Sequence, residues 1–294
     1  DHDQFLIRTL CEHPSRVKEG PHVCLDQLAD GLAIAAQRAG ITHDQIAAVG
    51  LASPGPASAE GVLSDRGSTN FAHAAWAGFD LRGQLSQRLG RPVTYLNDGN
   101  AAALWGHRSV FGDRRDATSI TAVVGTGLGG GIVIGDRIVS GTRGFGGELG
   151  HTLIPLERIP ALEGVRPQCN CGRVGDLESV CSLTAISQTL LPHFVRRYPN
   201  HEFATATNLT EAAKLVRGYA QAGDPLSRDI FRAQAHALAL FFDQMVNIFD
   251  PDALIVGGGV IEASPDFRDW LLLEIRRALP TQRLEQSEIP ILLM

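Results

Sequence analysis

The sequence predicts an α/β protein, and three observations carry that prediction. Short apolar runs of strand character alternate with longer helical patterns along the whole chain. The strand runs read as buried, so the sheets are expected to be largely covered. The 294 residues are 44% hydrophobic and 20% charged, which excludes a disordered or collagen-like chain and leaves room for two lobes with their own cores.

The elements follow in order. Residues 19–39 place Val23, Leu25, Leu28, Leu32, Ala35 and Ala36 at helical spacing and end at Gly40. Residues 46–52 read as a strand broken by Ser53-Pro54-Gly55-Pro56. A helix over 79–89 and a strand over 93–96 lead to Asn97-Asp98-Gly99-Asn100, which opens a helix over 101–111. A strand over 119–124 enters a glycine-rich loop, and 131–139 reads as a hairpin turning at Gly135-Asp136. Helices are predicted over 183–196, 209–221 and 226–249. A strand over 253–256 precedes Gly257-Gly258-Gly259, a helix covers 266–279, and the last residues form a short strand. The polar stretch 112–118 is the expected boundary between lobes spanning 1–115 and 116–294.

The net charge of −6 lacks the basic excess of a nucleic-acid binder. No apolar run approaches the ~18–20 residues that cross a bilayer, and residues 1–20 show no secretory signal. Five cysteines, with Cys169 and Cys171 too close for an ordinary disulfide, fit a reducing, cytoplasmic setting.

Five segments offer chemistry. A carboxylate at the junction of a strand end and a helix start is where α/β folds present reactive groups. Asp98 therefore reads either as such a group or, like Asn100, as a cap of the following helix. Gly125-Thr126-Gly127-Leu128-Gly129-Gly130-Gly131 holds five glycines after a strand, more than a plain turn needs, so its N–H groups can approach phosphate oxygens closely. It is neither a P-loop nor a dinucleotide fingerprint. Gly257-Gly258-Gly259 serves either a nucleotide or tight packing. In Gly146-Gly147-Glu148-Leu149-Gly150-His151 two ionisable groups sit among glycines that let a ligand approach. Cys169 and Cys171 are either two free thiols in a loop or ligands of one Zn²⁺, with His151 and Asp176 completing the set.

Taken together these segments resemble the ROK family (repressor, open reading frame, kinase), sugar kinases of the actin/hexokinase superfamily. The resemblance runs from about Ile46 to Gly259. It is carried by GLASPGP, Thr69-Asn70-Phe71 with Trp76 and Gly78-Phe79-Asp80-Leu81, Asn97-Asp98-Gly99-Asn100-Ala101-Ala102, GTGLGGG, GGELGH, CNCGRVGDLE and LIVGGG.

The resemblance implies a two-lobed actin/hexokinase-like (ribonuclease H-like) fold with a cleft between lobes. The smaller N-terminal lobe would be 1–115; the larger, 116–294, would carry the zinc loop and the nucleotide-binding glycine loops. It implies an ATP-dependent hexose kinase acting on the 6-hydroxyl of glucose or a related sugar. The alternatives are N-acetylmannosamine, N-acetylglucosamine or fructose as acceptor, or a sugar-sensing repressor of the same family. Asp98 matches the catalytic base. Asn70, Asn97, Glu148, His151 and Glu178 match, with Asp98, the sugar-hydroxyl contacts. Gly125, Thr126, Gly127, Gly129 and Gly130 match a phosphate loop, and Gly257, Gly258 and Gly259 the adenosine loop, with Mg²⁺ accompanying ATP. His151, Cys169 and Cys171 match three ligands of a structural Zn²⁺, and Asp176 stands where a cysteine is usual. A homodimer is implied, with the helix over 226–249 mostly core; no membrane or nucleic-acid partner is expected. The family's DxGGT-type opening hairpin and C-terminal helix have no counterpart in the sequence, and natural sequence is expected beyond both ends.

Overall fold

The computed structural model describes residues 6–66, 70–280 and 283–294; residues 1–5 and Thr69 lie outside the described residues. The chain forms two compact units. Residues up to Ala101, with Ser140–Gly146, make the first; Ala102–Val139 and Gly147–Met294 make the second. None of the described helices is long and apolar enough to cross a membrane.

In the first unit, β1 (Val49–Ser53) and β2 (Val93–Asn97) pair in parallel, with Val49 opposite Val93 and Ser53 opposite Asn97. The strand begins at Val49 rather than at 46. A helical turn at His43–Gln45, where the Gln45 side chain accepts the Thr42 N–H at 2.8 Å, ends at Ile46 just ahead of it. Helix α1 (Pro21–Arg38) starts on a proline at its first position, where no N–H is needed, and buries Cys24, Leu25 and Ala36. Helix α2 (Leu81–Leu89) is capped by Asp80, whose carboxylate accepts the Gly83 N–H at 2.7 Å, and ends at Gly90 in the left-handed region. Trp76 anchors the core, buried against Phe71 and Phe79 with ring centroids 4.9 and 5.5 Å away, and its indole N–H donates to the Val17 carbonyl.

The second unit is built on five strands: β3 (Thr118–Val124), β4 (Leu128–Ile134), β5 (Arg137–Ile138), β6 (Ala253–Gly258) and β7 (Ile291–Leu293), in the order β5-β4-β3-β6-β7. The pairs β5–β4 and β4–β3 are antiparallel, β3–β6 and β6–β7 parallel. Both hairpin strands and the Gly135-Asp136 turn follow the sequence reading. The turn residue Gly135 has φ 67°, a conformation that costs glycine nothing.

Helix α3 (Asp98–Phe111) crosses from one unit to the other. The division therefore falls at Ala101, not in the 112–118 stretch. Past Ala101 the helix packs on the second sheet: His107 Nδ1 lies 2.9 Å from Ser119 Oγ, and a Cβ on Gly106 would sit 3.4 Å from Ile255. Within that stretch 112–116 are an exposed surface turn, held by Arg108–Asp113 and by Arg114 with Asp116 and Asp252, while Ala117 is fully buried and Thr118 opens β3. Conversely, Ser140–Gly146 belongs to the first unit. Asn100 Nδ2 donates to the Gly146 carbonyl, and a Cβ on Gly144 would collide with the backbone at Ser58 and Ala59.

The segment predicted as one helix over 183–196 is instead α4 (Leu183–Ala185), a π turn (Ile186–Leu190) and α5 (Leu191–Phe194). Pro192 has no N–H for the carbonyl four residues back and its ring crowds that carbonyl, so the helix widens. Helices α6 (Leu209–Gln221), α7 (Pro225–Phe249) and α8 (Pro265–Ala278) complete the unit. The core of α7 includes Phe241 and Phe242, both fully buried, whereas Ile248 is 65% exposed. Phe241→Ala is therefore expected to lower the unfolding free energy by about 3–5 kcal/mol. Ile248→Ala should change it by no more than about 0.5 kcal/mol, both read from urea denaturation.

Candidate functional site

In the first unit β2 runs into α3 with no intervening loop. The Asn97 side-chain oxygen accepts the N–H of Gly99 at 2.9 Å and of Asn100 at 3.3 Å. Asn97 is thus the helix cap, a role the sequence reading left between Asp98 and Asn100. One Asp98 carboxylate oxygen accepts the Gly99 N–H at 2.8 Å. The other has no partner among the described residues, and the side chain is exposed. An exposed carboxylate with a free oxygen at a helix N-terminus, where the helix dipole favours its charge, can take a proton from a bound hydroxyl. Asn100 is 3% exposed and tethers Gly146. Asn70 is exposed beside the buried Phe71.

The second unit brings His151, Cys169, Cys171 and Asp176 together. One donor atom from each lies within 4.8 Å of the others. Asp176 is fully buried. One of its oxygens accepts the Ser179 N–H at 2.9 Å, and the other lies 3.1 Å from His151 Nδ1 and 3.5 Å from Cys171 Sγ. Zn–S bonds of about 2.3 Å and Zn–N of about 2.0–2.1 Å place tetrahedral ligand atoms about 3–4 Å apart, so the residues fit a zinc ion. A buried carboxylate facing two thiols and an imidazole, with no lysine or arginine ion-paired to it among the described residues, also gains from a divalent cation. Burial raises the Cys169 thiol well above its ordinary range, so a metal must displace its proton. His151 turns Nδ1 toward this cluster, which leaves Nε2 free to meet another ligand. The metal and sugar roles expected of His151 thus use different nitrogens.

Glu178 ties the cluster to the glycine-rich segment. Its carboxylate accepts the Cys169 thiol at 3.1 Å and the Leu128 N–H at 2.8 Å. A Cβ on Gly127 would press on that carboxylate, only 2.5 Å from Oε2. Glu148 is exposed just ahead of the helical turn Leu149–His151.

The glycine run divides into two parts. Gly125–Gly127 is the exposed turn between β3 and β4, pinned by Leu183 and Thr184, whose N–H groups donate to the Gly125 and Thr126 carbonyls. Gly129 and Gly130, expected in the phosphate loop, lie inside β4 opposite Val123 and Ala122. At Gly130 a side chain would collide with the Thr121 carbonyl and crowd Leu149, so this glycine serves close packing. In the same way β6 extends through Gly257 and Gly258, beyond the predicted end at 256. Gly258, at φ 90°, would collide with the Val124 backbone if it carried a Cβ.

The two glycine turns meet because Val124 pairs with Gly258 across parallel β3 and β6. Beneath them is a cavity of about 330 Å³, lined by Gly125, Thr126 and Gly259 and by Lys214, Arg217 and Gln234 from the helices. Parallel sheets bind ligands at the carboxyl ends of their strands. Sequence reasoning missed the three helical residues, since α6 and α7 read as packing helices. One signal was available: Lys18 and Lys214 are the chain's only lysines.

The sequence profile of the ROK family matches residues 11–290. The chain belongs to the ROK family. A glucokinase of Thermotoga maritima is 34% identical to this ROK protein over 217 residues, 73% of this chain and 64% of that protein. The matched region thus spans just under two thirds of that relative. Among solved structures, the ROK hexokinase of Thermus thermophilus has a TM-score of 0.69 at 30% identity, covering 95% of this chain and 82% of that one. A ROK family glucokinase from Streptomyces griseus, in complex with glucose and AMPPNP, has a TM-score of 0.69 at 26% identity, covering 93% and 84%. The ROK protein described here therefore has the actin-like α/β fold of those kinases.

Asn97→Ala removes the cap of α3 and is expected to cost about 1 kcal/mol, measured as a lower urea midpoint at unchanged m-value.

Proposed function

We propose that this ROK protein is an ATP-dependent hexose kinase that phosphorylates the 6-hydroxyl of glucose. The observation that carries the reading is the pairing of the two glycine turns over the cavity of about 330 Å³, a size that suits the nucleoside part of a nucleotide. The names of the glucokinase relatives support glucose as the acceptor.

In this reading the adenine and ribose of ATP occupy the cavity beside Gly259. The phosphates lie over the exposed Gly125–Gly127 turn, where a side chain would block close approach. Asn70, Asn97, Glu148, Glu178 and the free Nε2 of His151 pair with sugar hydroxyls, each amide, imidazole or carboxylate supplying a donor or acceptor. The free oxygen of Asp98 takes the proton of the 6-hydroxyl as the hydroxyl oxygen bonds to the γ-phosphorus. The bond from the γ-phosphorus to its bridging oxygen breaks, giving the sugar 6-phosphate and ADP. ATP enters as its magnesium complex, which offsets phosphate charge. Alignment and charge stabilisation then supply most of the rate.

His151, Cys169, Cys171 and Asp176 would hold a structural zinc. Its effect is to fix the loop that presents His151 and Glu178. The cytoplasmic setting and the homodimer expected of the family belong to the same proposal. All five cysteines are free, as a reducing compartment requires.

With ATP, Mg²⁺ and a panel of hexoses and N-acetylhexosamines, ADP release is expected with glucose. In Asp98→Asn it should fall about 10²–10⁴-fold while glucose binding persists. Tight sugar binding without ADP release from any sugar would overturn the kinase reading in favour of a sugar sensor. For the metal, the purified protein should contain about one zinc per chain. Asp176→Cys should lose it to EDTA more slowly, because thiolate is the softer ligand; metal analysis over a chelation time course reads the difference.

A further inference from the structure

Gln234 lies on α7, is 4% exposed, and lines the cavity beneath the two glycine turns. Its carboxamide is fixed in one orientation. Nε2 donates to the Val180 carbonyl at 3.0 Å and to the Ser182 carbonyl at 3.4 Å. A flipped amide would set Oε1 against those same two carbonyl oxygens, so the assignment is decided by the partners. Because the amide is planar, Oε1 points away from both carbonyls. Among the described residues nothing donates to it, and it is not one of the sealed, partnerless atoms of the interior. It therefore opens into the cavity.

The surroundings make that oxygen distinctive. The walls beside it are apolar, from Ile186, Phe231, Leu238 and Val260. The nearby polar groups are already engaged: Ser182 Oγ donates to the Glu178 carbonyl and accepts the Ala185 N–H, and the Cys181 thiol donates to the Gln234 main-chain carbonyl. Lys214 pairs with Glu211, and Arg217 with Glu262 and the Gly259 carbonyl. A flat ring with apolar faces and one hydrogen-bond donor on its edge satisfies such a site. A ring that lacks the donor leaves that acceptor unpaired and forgoes the worth of one hydrogen bond.

We propose that Gln234 is a specificity-determining residue for the nucleotide, its side-chain oxygen accepting a hydrogen bond from the 6-amino group of adenine. The proposal rests on the reading of the cavity as the nucleoside pocket. Its chemistry selects an amino-bearing purine and disfavours one with hydrogen or a carbonyl at position 6.

The test is calorimetric titration of the whole protein with Mg²⁺ and two nucleotides, ATP and purine riboside 5′-triphosphate, which differ only in the 6-amino group. ATP should bind about three- to tenfold more tightly, the worth of one hydrogen bond made in a closed site. Gln234→Met, similar in length and without the acceptor, should bring the two affinities to within about twofold by weakening ATP alone. Equal affinities in the unsubstituted protein overturn the proposal whether or not the variant folds. Unchanged discrimination in a folded Gln234→Met overturns it as well, and in both cases nucleotide binding itself stands. If neither nucleotide binds, the nucleoside-pocket reading falls and the role of Gln234 falls with it.

Discussion

The parallel pairing of β3 with β6 joins Thr118–Val124 to Ala253–Gly258, segments more than a hundred residues apart. Its register sets Val124 opposite Gly258, so the chain leaves both strands at the same level and through glycine. A side chain on Gly258 would strike the Val124 backbone, and the two turns would separate. The cavity, the exposed Gly125–Gly127 turn and the helices that wall them all take their positions from this one contact. The surrounding core reinforces it: Ile120, Ala122, Leu254 and Val256 are buried in the same cluster as the apolar face of α7. Burying apolar area on both faces of the sheet supplies the main driving force.

Glu178 has a comparable role at shorter range. It lies two residues after the fully buried Asp176 of the metal cluster, and its carboxylate reaches both Cys169 and the Leu128 N–H. The cysteine loop and the turn that opens β4 are therefore held by one side chain. In the function proposed above, a structural metal at the cluster would act through the placement of Glu178 and the outward nitrogen of His151, not by touching the reacting atoms.

Much of the fold was legible in the sequence because periodicity and turn chemistry are local. The amphipathic spacing of 19–39, the Gly135-Asp136 turn and the long helix after Asp224 all stand close to where the pattern puts them. The misses are places where a neighbour decided. Pro192 widened a helix that its apolar spacing predicted as regular. The polar stretch 112–118 looked like a boundary, yet packing of Gly106 and His107 on the second sheet moved the division to Ala101.

For the site, the sequence by itself determined which chemical groups are available: the carboxylate of Asp98, the Cys169–Cys171 pair with His151, the odd Asp176, and the glycine turns. Those residues carry their chemistry, and their family signature, in fixed local spacing. Only the tertiary structure decided which glycines are turns and which are strand. It also decided that Asn97 caps α3 and that His151 turns Nδ1, not Nε2, toward the cysteine cluster. The free oxygen of Gln234 depends on it too. Each of these depends on what lies across a sheet or behind a helix, and spacing along the chain does not encode that.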